Sequence, residues 1–246
     1  MKLNFTENLK LKFYCTFIVV FILAGCSYET ETARVSVKYA GAIKNFIQDG
    51  DLSAQASLDT LDPVDLYGLG VLENLEGEII ILDGRPYLSR KIDGKIVLEE
   101  SYDAKASLLV YARVPEWSNH EVKVSINSMI ELESLVEETA IRSGVNIEKP
   151  FPFMVRGKMA NFQWHVIDWP EGNTELTYQK HLDAVAKKME KDREVTLLGF
   201  YSRHHKGVFT PFTSEVHIHV LSDDYELAGH LDAVAPGKNF TILLPS

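Results

Sequence analysis

The sequence has almost no cysteine. Two occur in 246 residues, Cys15 and Cys26, both near the N-terminus. Everything after them is therefore without a disulfide framework, a thiolate metal site or a cysteine nucleophile. A long apolar run is also missing. The most apolar stretch, Phe13 to Ala24, is about a dozen residues, whereas a membrane-spanning helix needs about 20. Basic charge is scarce: 25 Lys and Arg stand against 35 Asp and Glu, for a formal net charge of −10. That balance argues against a nucleic-acid surface. Gly68 and Gly70 lack the third glycine and the following helix of a dinucleotide-binding loop. There is no internal repeat and no low-complexity segment. The chemistry has to come from histidine, carboxylates and arginine.

The N-terminus is informative. Lys2, Lys10 and Lys12 precede the short apolar run, and small residues end it, which is the pattern of a secretory signal. Leu23-Ala24-Gly25-Cys26 resembles the signal box of bacterial lipoproteins, in which the cysteine is lipidated and becomes the first mature residue. The resemblance implies a signal peptide over 1–25, a lipid on Cys26 and a polar tether over 26–38. The mature protein would then be extracytoplasmic and touch a membrane only through its N-terminal lipid. Removing the signal takes the formal charge from −10 to −12.

The remaining chain reads as mixed α/β and strand-rich. An N-terminal subdomain is expected over 39–150 and a metal-binding, β-rich subdomain over 151–246. Tyr39 to Gln48 has helical spacing and stops at Asp49-Gly50-Asp51. Ser53 to Leu61 reads as a second short helix. Asp83-Gly84 and Asp93-Gly94, between apolar runs, predict two hairpins. Ser107 to Val114 and Glu121 to Ile126 read as strands. Ser128 with Glu131 forms a capping box for a helix over 128–140. Phe153 to Lys158 and Asn161 to Trp169 look like paired strands. His181 to Arg193 has the spacing of a charged helix, and Val195 to Tyr201 reads as a strand.

The richest stretch is Glu215-Val216-His217-Ile218-His219-Val220, followed by Leu221 to Asp224 and then Gly229-His230. In a strand, His217 and His219 share one face with Glu215, and the valines and Ile218 share the other. The polar run turns the chain, and the returning segment brings back His230. Three histidines on neighbouring segments make an open site for zinc or a similar divalent transition metal. Two partly exposed histidines on an edge strand would give the same local pattern, and the third favours the metal. Glu78 heads a strand whose next residues are apolar. It faces either solvent or a site, and pattern alone favours solvent. His165 reads as a hydrogen-bonded or exposed strand histidine.

Taken together the motifs resemble the bacterial α-acetolactate decarboxylase family. The resemblance rests on Gly68-Leu69-Gly70 running to Leu82-Asp83-Gly84, on Leu198-Gly199-Phe200 with Gly207-Val208, and on His217-Ile218-His219, Ser222-Asp223-Asp224 and Gly229-His230. It implies a two-subdomain acetolactate decarboxylase-like fold and decarboxylation of 2-acetolactate to acetoin and CO2. It implies zinc on His217, His219 and His230, Glu78 pointing into the site to handle a proton, and Arg156 orienting a small 2-hydroxy-3-keto acid. It also suggests a homodimer. A second catalytic arginine of the family falls in a segment that here reads Trp164 to Pro170 and holds none. Arg156, Lys158 and His165 are the candidates to replace it. A non-catalytic lipoprotein that keeps the fold and binds a metal or small ligand is the competing reading.

Overall fold

Two Asp-Gly pairs set the first half of the fold. Asp83 and Gly84 both adopt positive φ, 49° and 73°, as do Asp93 and Gly94, 50° and 76°. Consecutive left-handed residues make the tight turns whose twist matches paired strands. In the computed structural model, residues 35–170, 185 and 187–246 are described. The expected signal peptide, Cys26 and most of the tether lie outside them, as do residues 181–184 and 186 of the expected charged helix.

The first sheet contains β1 (Lys38–Ala40), β2 (Ala56–Ser57), β3 (Leu66–Leu72), β4 (Glu78–Leu82), β5 (Arg85–Ile92), β6 (Lys95–Glu100) and β7 (Lys105–Arg113). Its order is β1-β7-β3-β4-β5-β6, with β2 also on β7. The second sheet contains β8 (Trp117–Val122), β9 (Phe151–His165), β10 (Lys188–Tyr201), β11 (Val216–Ser222), β12 (Ala228–Ala235) and β13 (Phe240–Pro245). Its order is β10-β11-β12-β9-β13-β8, and β10 also pairs with β9. That extra pairing closes β9, β10, β11 and β12 into a ring. The chain passes between sheets from Arg113 to Trp117, while residue 150 falls between the helix α1 (Met129–Arg142) and β9. The described residues belong to one compact unit.

α1 starts where the sequence places it. The Ser128 side chain accepts the Glu131 N–H, and Glu131 Oε2 accepts the N–H of Asn127. Its buried stripe of Leu132, Val136 and Ala140 packs with Val155, Phe162, Val216, Ile218 and Val220 on one face of the second sheet. The opposite face, with Met154, Leu198 and Leu221, packs on Leu69, Ile80 and Val110 of the first sheet. Alternation along each strand is what separates these two cores.

Five expectations need correction. The strand expected over Glu121 to Ile126 runs earlier, as β8 (Trp117–Val122), because that segment pairs with β13. Tyr39 lies in β1, and helix is confined to Asn45–Asp49, closed by Gly50 at φ 63°. Ser53 to Leu61 contains a two-residue strand and a single helical turn, Leu58–Thr60, because Ala56 and Ser57 pair with β7. The strands expected at 153–158 and 161–169 run together as one, β9, which carries Gly157 at φ 141° and ends at His165. Lys188 to Arg193 is β-strand, paired with Met159 to Trp164. The periodicity there is helical, but the free edge of the long β9 offers hydrogen bonds that a local pattern cannot reveal.

Candidate metal centre

Strand register builds the site. His219 of β11 stands opposite His230 of β12, and His230 stands opposite His165 of β9. Directly opposed residues share a face, so three imidazoles form a row across three strands. His217 lies two residues back along β11 on the same face. That face meets the first sheet, and His217 and His219 are buried between the two. Beside them β12 crosses β9 closely. A Cβ at Gly229 would sit 2.3 Å from the His165 carbonyl oxygen, so only glycine admits this approach.

The tautomers are fixed by backbone. His217 Nδ1 lies 2.7 Å from the Phe209 carbonyl oxygen, and His219 Nδ1 lies 2.8 Å from that of Ile79. A carbonyl oxygen only accepts, so each Nδ1 carries the proton and each Nε2 presents a lone pair. The two Nε2 atoms are 3.2 Å apart, and His217 Nε2 is 3.1 Å from His230 Nδ1. Burial pushes the His217 pKa down to about 4 and that of His219 well below its ordinary value. Protonation therefore does not relieve the opposed lone pairs near neutrality. A divalent cation does.

One ring nitrogen from each of His217, His219 and His230 lies within 4.8 Å of the other two. Nitrogens at about 2.0–2.1 Å from a tetrahedral zinc stand about 3.3–3.4 Å from each other, close to the spacings seen. The donor set fits. Two of its imidazoles are oriented from behind by carbonyls, as metal-bound histidines usually are.

Glu78 enters from the first sheet as the first residue of β4. Its Oε1 accepts the Ile167 N–H at 3.2 Å. Its Oε2 lies 3.6 Å from His219 Nε2 and, although buried, has no hydrogen-bond partner. Burial pushes the carboxyl well above the usual carboxylate range, with the Ile167 N–H opposing. Glu78 thus points inward, against the solvent-facing expectation from pattern and in line with the family resemblance.

His165 Nδ1 lies 2.9 Å from Asp232 Oδ2, and Nε2 lies 3.8 Å from Glu78 Oε1. Asp232 sits where the β12–β9 register shifts, between Leu231 and Ala233. A bulge of this kind re-aims a side chain, here onto His165.

The structure thus gathers His217, His219, His230 and Glu78, and adds His165 and Asp232. Arg156 is exposed and lies beside that row of side chains. Arg156 pairs with Thr196, one row along from the Met154 row that leads to His219. With Leu82, Tyr87, Leu221 and Tyr225 it lines a cavity of about 230 Å³ to which none of the three histidines nor Glu78 contributes. Lys158 pairs with Asp192 at the surface. Glu215 precedes β11 and turns to Tyr201 and Lys206, off the histidine face. Asp232 is visible in the sequence as the alternate neighbour of His230. The carbonyls of Phe209 and Ile79 carry no sequence signal, because every residue has one.

A family model described as alpha-acetolactate decarboxylase matches residues 39–243. An alpha-acetolactate decarboxylase of Streptococcus thermophilus is 28% identical over 199 residues, covering 78% of this chain and 75% of that protein. The crystal structure of alpha-acetolactate decarboxylase from Bacillus subtilis strain 168 superposes with a TM-score of 0.70 over 86% of both chains, at 14% identity. A Staphylococcus aureus protein of unknown function, similar to alpha-acetolactate decarboxylase, gives 0.64 over 86% of this chain and 85% of its own, also at 14% identity. At 14% identity these two structures establish the fold alone.

Proposed function

Because the chain belongs to the alpha-acetolactate decarboxylase family, we propose that it decarboxylates 2-acetolactate to acetoin and CO2 at the histidine cluster. One observation carries the reading. Glu78 from the first sheet meets His217, His219 and His230 from the second, with its buried Oε2 unpartnered and directed at them.

His217, His219 and His230 are the residues that would hold a divalent metal, zinc being the ion their chemistry fits best. A metal so held supplies Lewis-acid stabilisation of negative charge on the substrate's oxygens. The chain's own residues do the rest. In the reaction the bond from C2 to the carboxylate breaks, and its electron pair moves toward the ketone oxygen as CO2 departs. C2 then takes a proton, giving acetoin. Glu78 stands at the cluster, and burial pushes its carboxyl well above the usual carboxylate range, so it is the group positioned to deliver that proton and recover one from water. The packed sheets keep bulk water from His217, His219 and Glu78, which strengthens every electrostatic interaction among them.

We propose further that Cys26 carries a lipid and holds this site on the outer side of a membrane, on the strength of the Leu23-Ala24-Gly25-Cys26 pattern. The second reading, binding of a small hydroxy-keto acid without turnover, rests on the segment Trp164 to Pro170, which holds no arginine where the family resemblance places one. One experiment separates them. Zinc-loaded protein is given racemic acetolactate, acetoin and CO2 are followed, and the chelated protein is the control. Metal-dependent acetoin supports the decarboxylase. A folded protein with one metal per chain that yields no acetoin sinks it and leaves the binding reading.

A further inference from the structure

One buried imidazole of the cluster is not needed as a metal ligand. His165 is 7% exposed and closes the row that His219 and His230 begin. Its ring centroid lies 4.8 Å from that of His230. Asp232, drawn in by the β12 bulge, sits at hydrogen-bond distance from Nδ1. A carboxylate accepts and does not donate, so Nδ1 carries the proton, and in the neutral ring Nε2 presents a lone pair. That lone pair faces the site. The nearest polar atom toward Glu78, Oε1, is 3.8 Å away, beyond hydrogen-bond reach, and is itself committed to the Ile167 N–H.

An acceptor that faces the site and is not bonded to Glu78 calls for a group that brings its own hydrogen. A substrate carboxylate brings none and would meet lone pair with lone pair. A hydroxyl brings one. We propose that His165, oriented by Asp232, contacts the substrate directly and accepts the hydrogen bond of its 2-hydroxyl group, which makes His165 a determinant of specificity for 2-hydroxy acids. The inference rests on the functional reading above for the place where substrate binds. It assigns a new role to a residue that stands, without a guanidinium, in the segment where the family resemblance placed an arginine.

The test uses the zinc-loaded protein and two unreactive probes, 2-hydroxy-2-methylpropanoate and its deoxy analogue 2-methylpropanoate. The ratio of their affinities is measured by calorimetry in wild type, His165→Asn and His165→Gln. Asparagine keeps the group that reaches Asp232 and deletes Nε2. Glutamine returns an acceptor near the Nε2 position. A buried hydrogen bond of about 1.4 kcal/mol corresponds to tenfold in affinity. The preference for the hydroxy acid is expected to fall about tenfold or more in His165→Asn and to return in part in His165→Gln, at one zinc per chain in each. If both probes weaken equally in His165→Asn, so that the ratio stays at the wild-type value, His165 is only structural and the proposal is overturned.

Should neither variant fold, the wild-type protein labelled with 15N-histidine decides. The His165 Nε2 resonance is expected to move with the hydroxy acid and not with the deoxy analogue, and a resonance indifferent to both overturns the proposal. Acetoin formation by wild type is a separate readout. A protein that discriminates the probes through His165 but makes no acetoin loses the decarboxylase reading alone. One that makes acetoin with an unchanged ratio in His165→Asn loses this inference alone.

Discussion

The Nε2 atoms of His217 and His219 point at each other across 3.2 Å. Both carry lone pairs, because the carbonyls of Phe209 and Ile79 fix the protons on the opposite nitrogens. Removing a bound metal therefore restores that opposition of lone pairs. At a free zinc concentration about 1,000 times Kd, a site on the folded state alone stabilises by about 4 kcal/mol. For a domain of this size that is about 8–16 °C in Tm. Calorimetry of wild type should show this zinc-dependent shift. His217→Ala and His219→Ala should each abolish it, and a shift that survives in both would place the zinc elsewhere.

The metal-free protein should lose stability in mild acid. The folded-state pKa of His217 is about 4, below its ordinary value of 6.5, and that of His219 is lowered as well. Between those limits the unfolded chain binds more protons than the folded one, so stability rises with pH in this window and falls as pH drops through it. The His217 contribution, from about 6.5 down to about 4, amounts to about 3 kcal/mol. Urea unfolding of chelated protein at a series of pH values from 7 to 4 measures it. His217→Gln should flatten the curve. A wild-type profile level over this range would contradict the buried neutral imidazoles.

Glu78→Gln should separate stability from activity. Burial raises the Glu78 pKa in the folded state. Its contribution to stability is fully present below the unfolded carboxyl value and is lost as pH rises through the folded one. At neutral pH and without metal the folded state therefore bears a cost that glutamine removes. Tm of the chelated variant should rise, by about 2–4 °C for each kcal/mol relieved. On the proposed mechanism the same change deletes the proton donor, so kcat should fall about 100-fold or more while zinc content stays at wild type. Thermal melts, turnover and metal analysis on one preparation check all three.

Cys26→Ser should release the protein from membranes. Fractionation of cells that make the full chain is expected to find wild type with the membranes and the variant in a soluble extracytoplasmic fraction. Identical fractionation of the two would remove the lipid anchor from the account.

The site was more legible in the sequence than the fold around it. His217 and His219 needed only the two-residue period of a strand, and His230 needed only a turn and a return. Both hairpins followed from Asp-Gly, and α1 followed from Ser128 and Glu131. Long-range pairing was hidden. Lys188 to Arg193 looks helical in isolation and becomes strand because β9, some 30 residues earlier, offers a free edge. His165 looked unremarkable because its neighbours are Asp232, in the bulge of β12, and Glu78, on the other sheet. Glu78 looked like a solvated strand end because an inward carboxylate next to four apolar residues makes sense only once a cation site is behind it. Arg156 came from the family resemblance and not from geometry, and the strand register sets it one row away from the histidines.

The bond from His219 to the Ile79 carbonyl spans 140 positions of chain. It means that one ligand acquires its working tautomer from a strand made long before it. His219 therefore presents Nε2 to the cluster only where the two layers are docked, and a metal held there would be held by both layers at once. A substitution that loosens the contact between the layers should then speed the release of bound zinc without touching a ligand.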